Sequence, residues 1–281
     1  MNTDVDVRGD ENPPTFPRKR KSGQARSPSA KAVNLLVDAN DVQTAKLSGE
    51  EAPEARLSDA ALSRLLAWTS PSYPTGAFSY SHGLEWAVEQ GPVRDVSTLL
   101  DYVGAVLERG GGWIDAVLFV HAHARVRDPS SFDEIAELAV AFRGSSETAL
   151  ESQQQGSAFL AVTRKAWPHP LLEAFAARNM MRPVAQCIAM ALACAAHDIP
   201  CAPAIGAWLH ATAANLVSAG VRLIPLGQTD GQIAIARLAP RIDSIALAAL
   251  QSTLDELGTA SPLLEICSIR HETQYTRLFR S

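Results

Sequence analysis

The stretch from Pro71 to Gly91, which reads PSYPTGAFSYSHGLEWAVEQG, gathers reactive residue types where a loop becomes a helix. Ser79 and Ser81 offer hydroxyl nucleophiles, and His82 offers a general base. Glu85 follows one helical turn later and could orient the imidazole, as in a hydrolytic triad. Residues this close in sequence rarely converge as a triad requires, and the chain has no Gly-x-Ser-x-Gly elbow. A helical hydrolase whose turnover depends on His82 is therefore the less favoured interpretation.

The same stretch also has the composition of a docking surface. Pro74 and Gly76 constrain the loop, and aromatic side chains alternate with the polar ones. Because loops held by a rigid scaffold are common recognition sites, we expect an interaction surface here, with Leu84 in the core. The residues expected on that surface are Phe78, Ser79, Tyr80, Ser81, His82 and Glu85.

Metal ligation is the second chemistry to consider. His121 and His123 lie two residues apart, so on a helix they would not share a face, and we expect an exposed pair without a metal. The cysteines form no CxxC pair, and the three that lie seven residues apart are expected to be small buried thiols between helices. The four cysteines, all expected to be reduced, are Cys187, Cys194, Cys201 and Cys267.

Composition sets further bounds on function. The chain has 281 residues, 47% of them hydrophobic, which is enough to bury a sizeable core. A net charge of −5 gives no basic face for nucleic acid, and no P-loop is present to hold a nucleotide. No apolar run is long enough to cross a bilayer, and the N-terminus lacks a secretory h-region. We therefore expect a cytoplasmic protein that binds neither membrane nor nucleic acid.

The first 56 residues differ from the rest of the chain. They carry nine basic and nine acidic residues, five prolines and one aromatic residue, a composition that predicts a disordered tail. The basic run Arg18–Lys21 could contact an anionic surface, but a solvated run of charges is the favoured interpretation. Residues 57–281 are expected to form one globular domain.

Helical periodicity dominates from Leu57 onward, and strand signals are almost absent. The sequence therefore predicts an all-α fold, a single globular bundle of roughly eight to ten helices. Expected N-caps are Ser58, Ser97 and Ser131. Helices are expected over residues 146–166 and 241–257, among others.

Two further polar segments interrupt apolar surroundings. Around Gln228 and Asp230 the chain reads PLGQTDGQ, which could simply cap a helix. The C-terminal stretch is rich in arginine and aromatic residues, which anchor many interfaces. We therefore expect it to lie against the Pro71–Gly91 stretch or against a partner. Its candidate docking residues are Arg270, His271, Glu272, Tyr275, Arg277 and Phe279.

Four segments, in order, resemble the UreF family of urease accessory proteins. Residues 74–85, PTGAFSYSHGLE, are similar to the family's proline-glycine-aromatic-serine-x-serine-x-glycine-leucine-glutamate signature. The others are QQG at 154–156 followed by FL at 159–160, LHATAANLVSA at 209–219 with RLIPLGQTDGQ at 222–232, and SIRHETQYTRLF at 268–279. The resemblance covers the chain from about residue 57 to 281, and the family is all-helical.

The resemblance implies a non-enzymatic cytoplasmic chaperone for the insertion of nickel into apo-urease. It further implies a homodimer that binds the accessory protein UreD, also called UreH, and recruits and regulates the GTPase UreG. In such an assembly the GTPase holds nickel and GTP, so this chain is expected to bind no cofactor tightly. On this basis Gln228 and Asp230 join the partner-binding candidates.

The chain departs from many relatives at one place. Met181-Arg182 precede Pro183 where those relatives carry a histidine, so a role of that histidine in passing metal is not carried over. The alternative to a scaffold is a nickel-binding metallochaperone that carries the metal itself. Its ligands would be His121, His123 and a cysteine.

Overall fold

The computed structural model describes residues 57–180, 182–258 and 260–281. The predicted tail, residues 1–56 with its basic run, lies outside these ranges. Met181, where the chain departs from many relatives, also lies outside them. Within the described residues there is no strand, and ten of the eleven α-helices have ten or more residues. The all-α prediction is confirmed, and the ten longer helices lie at the upper end of the predicted number.

The helices are α1 (Asp59–Trp68), α2 (Leu84–Glu89), α3 (Val96–Arg109), α4 (Gly111–Arg125), α5 (Pro129–Ala141), α6 (Ser146–Ala166), α7 (Pro170–Asn179), α8 (Gln186–Ala196), α9 (Cys201–Leu223), α10 (Gln228–Gln251) and α11 (Pro262–His271). Short 3-10 turns occur at Ala77–Ser79 and Leu254–Glu256.

Helix α8 forms the centre of the core. Nine of its eleven residues are buried, and it packs against both α4 and α6. Small residues allow this approach, because a Cβ atom at Gly156 of α6 would lie 2.1 Å from the carbonyl oxygen of Val184. Cys187 and Cys194 are buried in this helix, as predicted, whereas Cys201 at the start of α9 is only half-buried.

Several helix boundaries differ from the sequence-based expectations. Ser58 does cap α1, accepting a hydrogen bond from the backbone of Ala61. The expected caps Ser97 and Ser131 are wrong, because Asp95 and Asp128 cap α3 and α5 two or three residues earlier. An aspartate ranks with serine as an N-cap, and its position leaves the serine inside the first turn.

The helix expected over 241–257 is also wrong in its start and its end. Helix α10 begins at Gln228, runs through Pro240 and ends at Gln251. A proline removes one helical hydrogen bond, but the buried stripe of α10 continues on both sides of it, with Leu238 before and Ile242 after. The N-cap of this helix is Gly227 rather than Thr229 or Asp230, and Asp230 supports it from inside the first turn by accepting from the backbone N–H of Gly227.

The elements that matter for function meet at one end of the bundle. Helix α2 packs against α11, and both α11 and the 3-10 turn at 77–79 contact longer helices, α6 and α9 respectively. None of the helices in the described ranges combines the length and the apolarity needed to span a membrane.

Candidate docking site

The loop before α2 is shaped by left-handed backbone conformations. Gly76 has a φ of 76° and Gly83 a φ of 77°, and between them His82 has a φ of 57°. Gly83 also lies against α11, since a Cβ atom there would be 2.8 Å from the backbone nitrogen of Ser268. Glycine is therefore needed at position 83 for its conformation and for the close packing of α11 on α2.

Glu85 on α2 binds the C-terminal segment, residues 272–281. Its Oε1 atom accepts a hydrogen bond of 2.6 Å from the backbone N–H of Leu278, and Oε2 accepts one of 2.9 Å from that of Phe279. Oε2 also lies 3.1 Å from Nε2 of His271. A carboxylate with this many donors fixes the returning chain in one position.

His271, at the end of α11, is completely buried between two glutamates. Its second ring nitrogen, Nδ1, lies 2.8 Å from Oε2 of Glu147 at the start of α6. The other oxygen of Glu147 accepts a hydrogen bond of 3.1 Å from Arg277. Burial raises the pKa of Glu147, although His271 and Arg277 oppose the shift. The three elements α2, α6 and α11 are thus joined by one polar network.

A second set of contacts holds the last residues to the loop. Ser81 donates through its hydroxyl, at 2.6 Å, to a backbone oxygen of Ser281, and the backbone N–H of Arg280 donates to the carbonyl oxygen of Ser79 at 2.8 Å. The hydroxyl of Ser281 donates to Glu151, which also lies 3.5 Å from Nδ1 of His82. Burial lowers the pKa of His82, but the hydrogen bond and charge of Glu151 outweigh it, so the net shift is upward.

Arginine–aromatic stacking completes the attachment. The guanidinium of Arg222 on α9 lies 5.2 Å from the ring centre of Phe78 and 4.3 Å from that of Phe279. Arg280 lies 5.9 Å from the ring centre of Tyr80, whose hydroxyl donates to Gln154. The expectation that the C-terminal stretch lies against the Pro71–Gly91 stretch is confirmed by these contacts.

Five of the candidate docking residues are buried, so the surface expected at Tyr80, Ser81 and Glu85 of the loop is wrong, whereas burial of the two C-terminal residues agrees with a stretch that lies against the loop. The reason is that loop and C-terminal segment bury each other, so each satisfies the hydrogen bonds that the other was expected to offer to a partner. The five buried residues are Tyr80, Ser81, Glu85, His271 and Phe279.

The remaining candidates lie wholly or partly at the surface, and their role in partner binding stays a prediction. Phe78 is 65% exposed despite its stacking, and the ring of Tyr275 is fully exposed. The exposed group comprises Phe78, Gln228, Arg270, Glu272, Tyr275 and Arg277, and the half-buried group comprises Ser79, His82 and Asp230.

The residues of the hydrolytic interpretation do not converge. Glu85 contacts His271 rather than His82, while His82 faces Glu151. The hydroxyl of Ser81 is directed to Ser281. The acid of the sequence pattern therefore belongs to a different set of contacts from the base, and the Ser81 hydroxyl is bonded to Ser281 rather than to His82.

The histidines considered as metal ligands make backbone contacts instead. Nε2 of His121 lies 3.0 Å from the carbonyl oxygen of Ser252, and Nε2 of His123 lies 2.8 Å from that of Ile199. Both side chains are half-buried, so the expected exposed pair is wrong. Across residues 57–180, 182–258 and 260–281, no group of three or more histidine, cysteine, aspartate or glutamate side chains is placed to hold a metal ion.

Sequence reasoning from residue patterns did not assign roles to Glu147, Glu151 or Arg222. Glu147 lies at a buried position of α6, as do Ser152 and Gln155, whereas Glu151 is half-buried. Sequence reasoning also missed a cleft of about 430 Å³ beside Phe78 and His82. Its walls come from α1 and α6 together with the three consecutive helices α8, α9 and α10, so it forms only when distant parts of the chain pack together.

Comparison with known proteins gives consistent matches. The family model named UreF matches residues 93–239. The protein named urease accessory protein UreF from Xanthobacter autotrophicus is 48% identical over 238 residues, covering 83% of this chain and 98% of its own length. Proteins of the same name from Granulibacter bethesdensis and Rhodopseudomonas palustris strain BisB5 are 49% and 46% identical, each over 232 residues. Each alignment covers 82% of this chain and, respectively, 98% and 95% of the relative.

Proposed function

This chain belongs to the UreF family of urease accessory proteins, and we propose that it acts in urease maturation as a non-enzymatic cytoplasmic scaffold. In this proposal it functions as a homodimer, binds the accessory protein UreD (or UreH), and recruits and regulates the GTPase UreG. The assembly then docks on apo-urease for nickel insertion. GTP and nickel are held by UreG, and this chain binds neither of them tightly.

The observation that carries the proposal is a concentration of exposed apolar side chains near the C-terminal end. Twelve large hydrophobic residues are exposed in the described ranges, and five of them fall within residues 262–278. These five are Leu263, Ile266, Ile269, Tyr275 and Leu278. Exposed apolar groups clustered in this way are typical of protein-binding surfaces.

The setting of these side chains also supports docking of a protein. Ile266, Arg270 and Tyr275 line a shallow depression of about 520 Å³ together with Trp86 of α2. Aromatic and arginine residues at the centre of an apolar surface are the usual anchors of an interface. The polar network around Glu85 holds the backbone beneath this surface, so a partner would meet a preformed site.

The test is co-elution on size exclusion with the UreD-type protein and UreG. The test variant combines Ile269→Ala and Tyr275→Ala, which remove exposed side chains and leave the buried contacts of Glu85 intact. Leu247→Ala, at an exposed leucine on α10 outside the C-terminal cluster, is the control. We expect the unaltered chain and the control to co-elute with the partners and the double variant to elute alone.

Two results would contradict the scaffold. If the unaltered chain formed no complex with either partner, recruitment would be ruled out as its task. If instead the isolated, tag-free chain bound stoichiometric nickel tightly, a metallochaperone that carries the metal itself would be favoured.

A further inference from the structure

The contacts of Arg222 on α9 are with aromatic rings rather than with an oppositely charged side chain. Among the described residues no carboxylate forms an ion pair with it, and its Nε atom donates to the carbonyl oxygen of Ser218, at 3.3 Å, in its own helix. The guanidinium carbon instead lies over two rings, those of Phe78 and Phe279. An arginine can stack on aromatic faces in this way because its charge is delocalised and weakly hydrated.

The two rings belong to segments that also meet directly, through the hydrogen bond from the backbone N–H of Arg280 to the carbonyl oxygen of Ser79, but their backbones have different further supports. Phe279 is buried, and its backbone is fixed by Glu85. Phe78 lies in the 3-10 turn at 77–79, and most of its ring faces solvent. Arg222 is therefore the side chain that lies between a fixed ring of the C-terminal segment and an exposed ring of the loop.

Helix α9 supports the same turn at a second point. Asn215 donates through its side-chain amide to the carbonyl oxygen of Ala77, at 3.1 Å. Asn215 and Arg222 are seven residues apart, so they lie on one face of the helix. The turn is thus held on its backbone by Asn215 and on its exposed ring by Arg222.

From this geometry we propose that Arg222 is a positioning residue, which couples the docked C-terminal segment to the orientation of Phe78. With the segment in place, Phe279 and Arg222 together restrict the Phe78 ring to one presentation. Loss of the stack frees the ring and loosens both segments. The consequence for partner binding rests on the proposed scaffold function, whereas the coupling itself does not.

Hydrogen exchange measured by mass spectrometry on the full chain tests the coupling. The amides to follow are those of Ser79 and Tyr80 in the turn and of Leu278, Phe279 and Arg280 in the C-terminal segment, all of which are hydrogen-bonded. For Arg222→Met we expect exchange in both segments to rise together by roughly tenfold, since two stacking contacts are lost.

Two further variants make the result specific. Arg222→Lys keeps the charge but not the planar face, so it should restore only part of the protection. Arg237→Met removes an exposed arginine of α10 that has no ion pair within the described residues, and it should leave both segments unchanged. Unchanged exchange at residues 79–80 in Arg222→Met would overturn the proposal, because the stack would then not hold the turn.

A double-mutant cycle tests whether Arg222 acts through Phe78. Affinity for the UreD-type protein is measured for Arg222→Met, Phe78→Ala and the double variant. We expect each single change to weaken binding and the double variant to bind no more weakly than Phe78→Ala alone. Additive losses would overturn action through Phe78. Absence of binding by the unaltered chain would instead count against the proposed function and leave the exchange result to decide the coupling.

Discussion

Nε2 of His271 lies 3.1 Å from Oε2 of Glu85, and the two side chains are 0% and 9% exposed. They are 186 residues apart in sequence, so this contact closes most of the described chain into one unit. Removing one partner of a buried polar contact of this kind costs free energy, because the other group has lost its hydration and is left without a hydrogen bond. The C-terminal segment is thus a structural part of the domain as well as the candidate docking surface.

Replacing Glu85 by glutamine keeps its size but removes the charge that several donors share. Hydrogen bonds to a charged acceptor contribute about 1.5–3 kcal/mol, so we expect Glu85→Gln to lower the free energy of unfolding by about 2 kcal/mol. Urea unfolding followed by circular dichroism measures this. Glu134→Gln, at an exposed residue of α5, should change stability by less than ~0.5 kcal/mol. Equal losses in the two variants would show that the buried network contributes nothing special.

Gly83 and Gly76 allow a matched comparison, because both have φ near 77° but only Gly83 has a close neighbour. Alanine at either position should cost roughly 1–2 kcal/mol for the left-handed conformation. Gly83→Ala should cost about 1–3 kcal/mol more, because its Cβ atom would meet the backbone of Ser268. Thermal or urea unfolding of both variants gives the difference. A Gly76→Ala protein as unstable as Gly83→Ala would rule out the contact with α11 as the cause.

The contact between His82 and Glu151 predicts a pH dependence of stability. The pKa of His82 in the folded chain is raised above its ordinary value of 6.5, so its contribution is fully present below pH 6.5 and is lost as the pH rises through the raised value. His82→Asn should therefore destabilise the protein more at pH 5.5 than at pH 8.5. Asparagine is chosen because it tolerates the left-handed backbone of this position. A loss that was equal at both pH values would exclude the ion pair as its source.

The thiols are expected to react in an order set by burial. Burial raises the pKa of Cys201 to about 11, and it also raises the pKa values of Cys187 and Cys194, which are fully buried. Alkylation of the native chain by iodoacetamide at pH 8, followed by peptide mass spectrometry, should modify Cys201 before either of the other two. Rapid labelling of Cys187 in the folded protein would show that α8 opens far more readily than its burial implies.

Local features were predictable from sequence because their causes are local. The bounds of α6, residues 146–166, follow from the N-cap residue Ser145 at its start and from the Trp167-Pro168 pair at its end. Ser97 and Ser131 failed as caps because an aspartate two or three residues earlier competed successfully. The predicted start of α10 after Pro240 was wrong because burial of the helix's apolar face outweighed the local tendency of proline to end a helix.

The site could be predicted in its parts but not in its assembly. The sequence indicated that the loop and the C-terminal segment both carry docking residues. It could not show that Glu85 binds the backbone of Phe279, 194 residues away, because that pairing depends on the packing of α2, α6 and α11. Such long-range contacts decide which side chains become buried anchors and which stay available to a partner.

Arg270 is the residue at which a contribution to partner binding can be separated most clearly from a contribution to stability. It is exposed beside Trp86 and Tyr275, and it makes no side-chain hydrogen bond or ion pair within the described residues. Arg270→Ala should therefore leave the free energy of unfolding within ~0.5 kcal/mol of the unaltered chain. At the centre of an interface the same change should weaken binding of the UreD-type protein by about 2 kcal/mol, or roughly 30-fold. Calorimetric titration of purified partners measures this, and unchanged recruitment would exclude Arg270 from the docking surface.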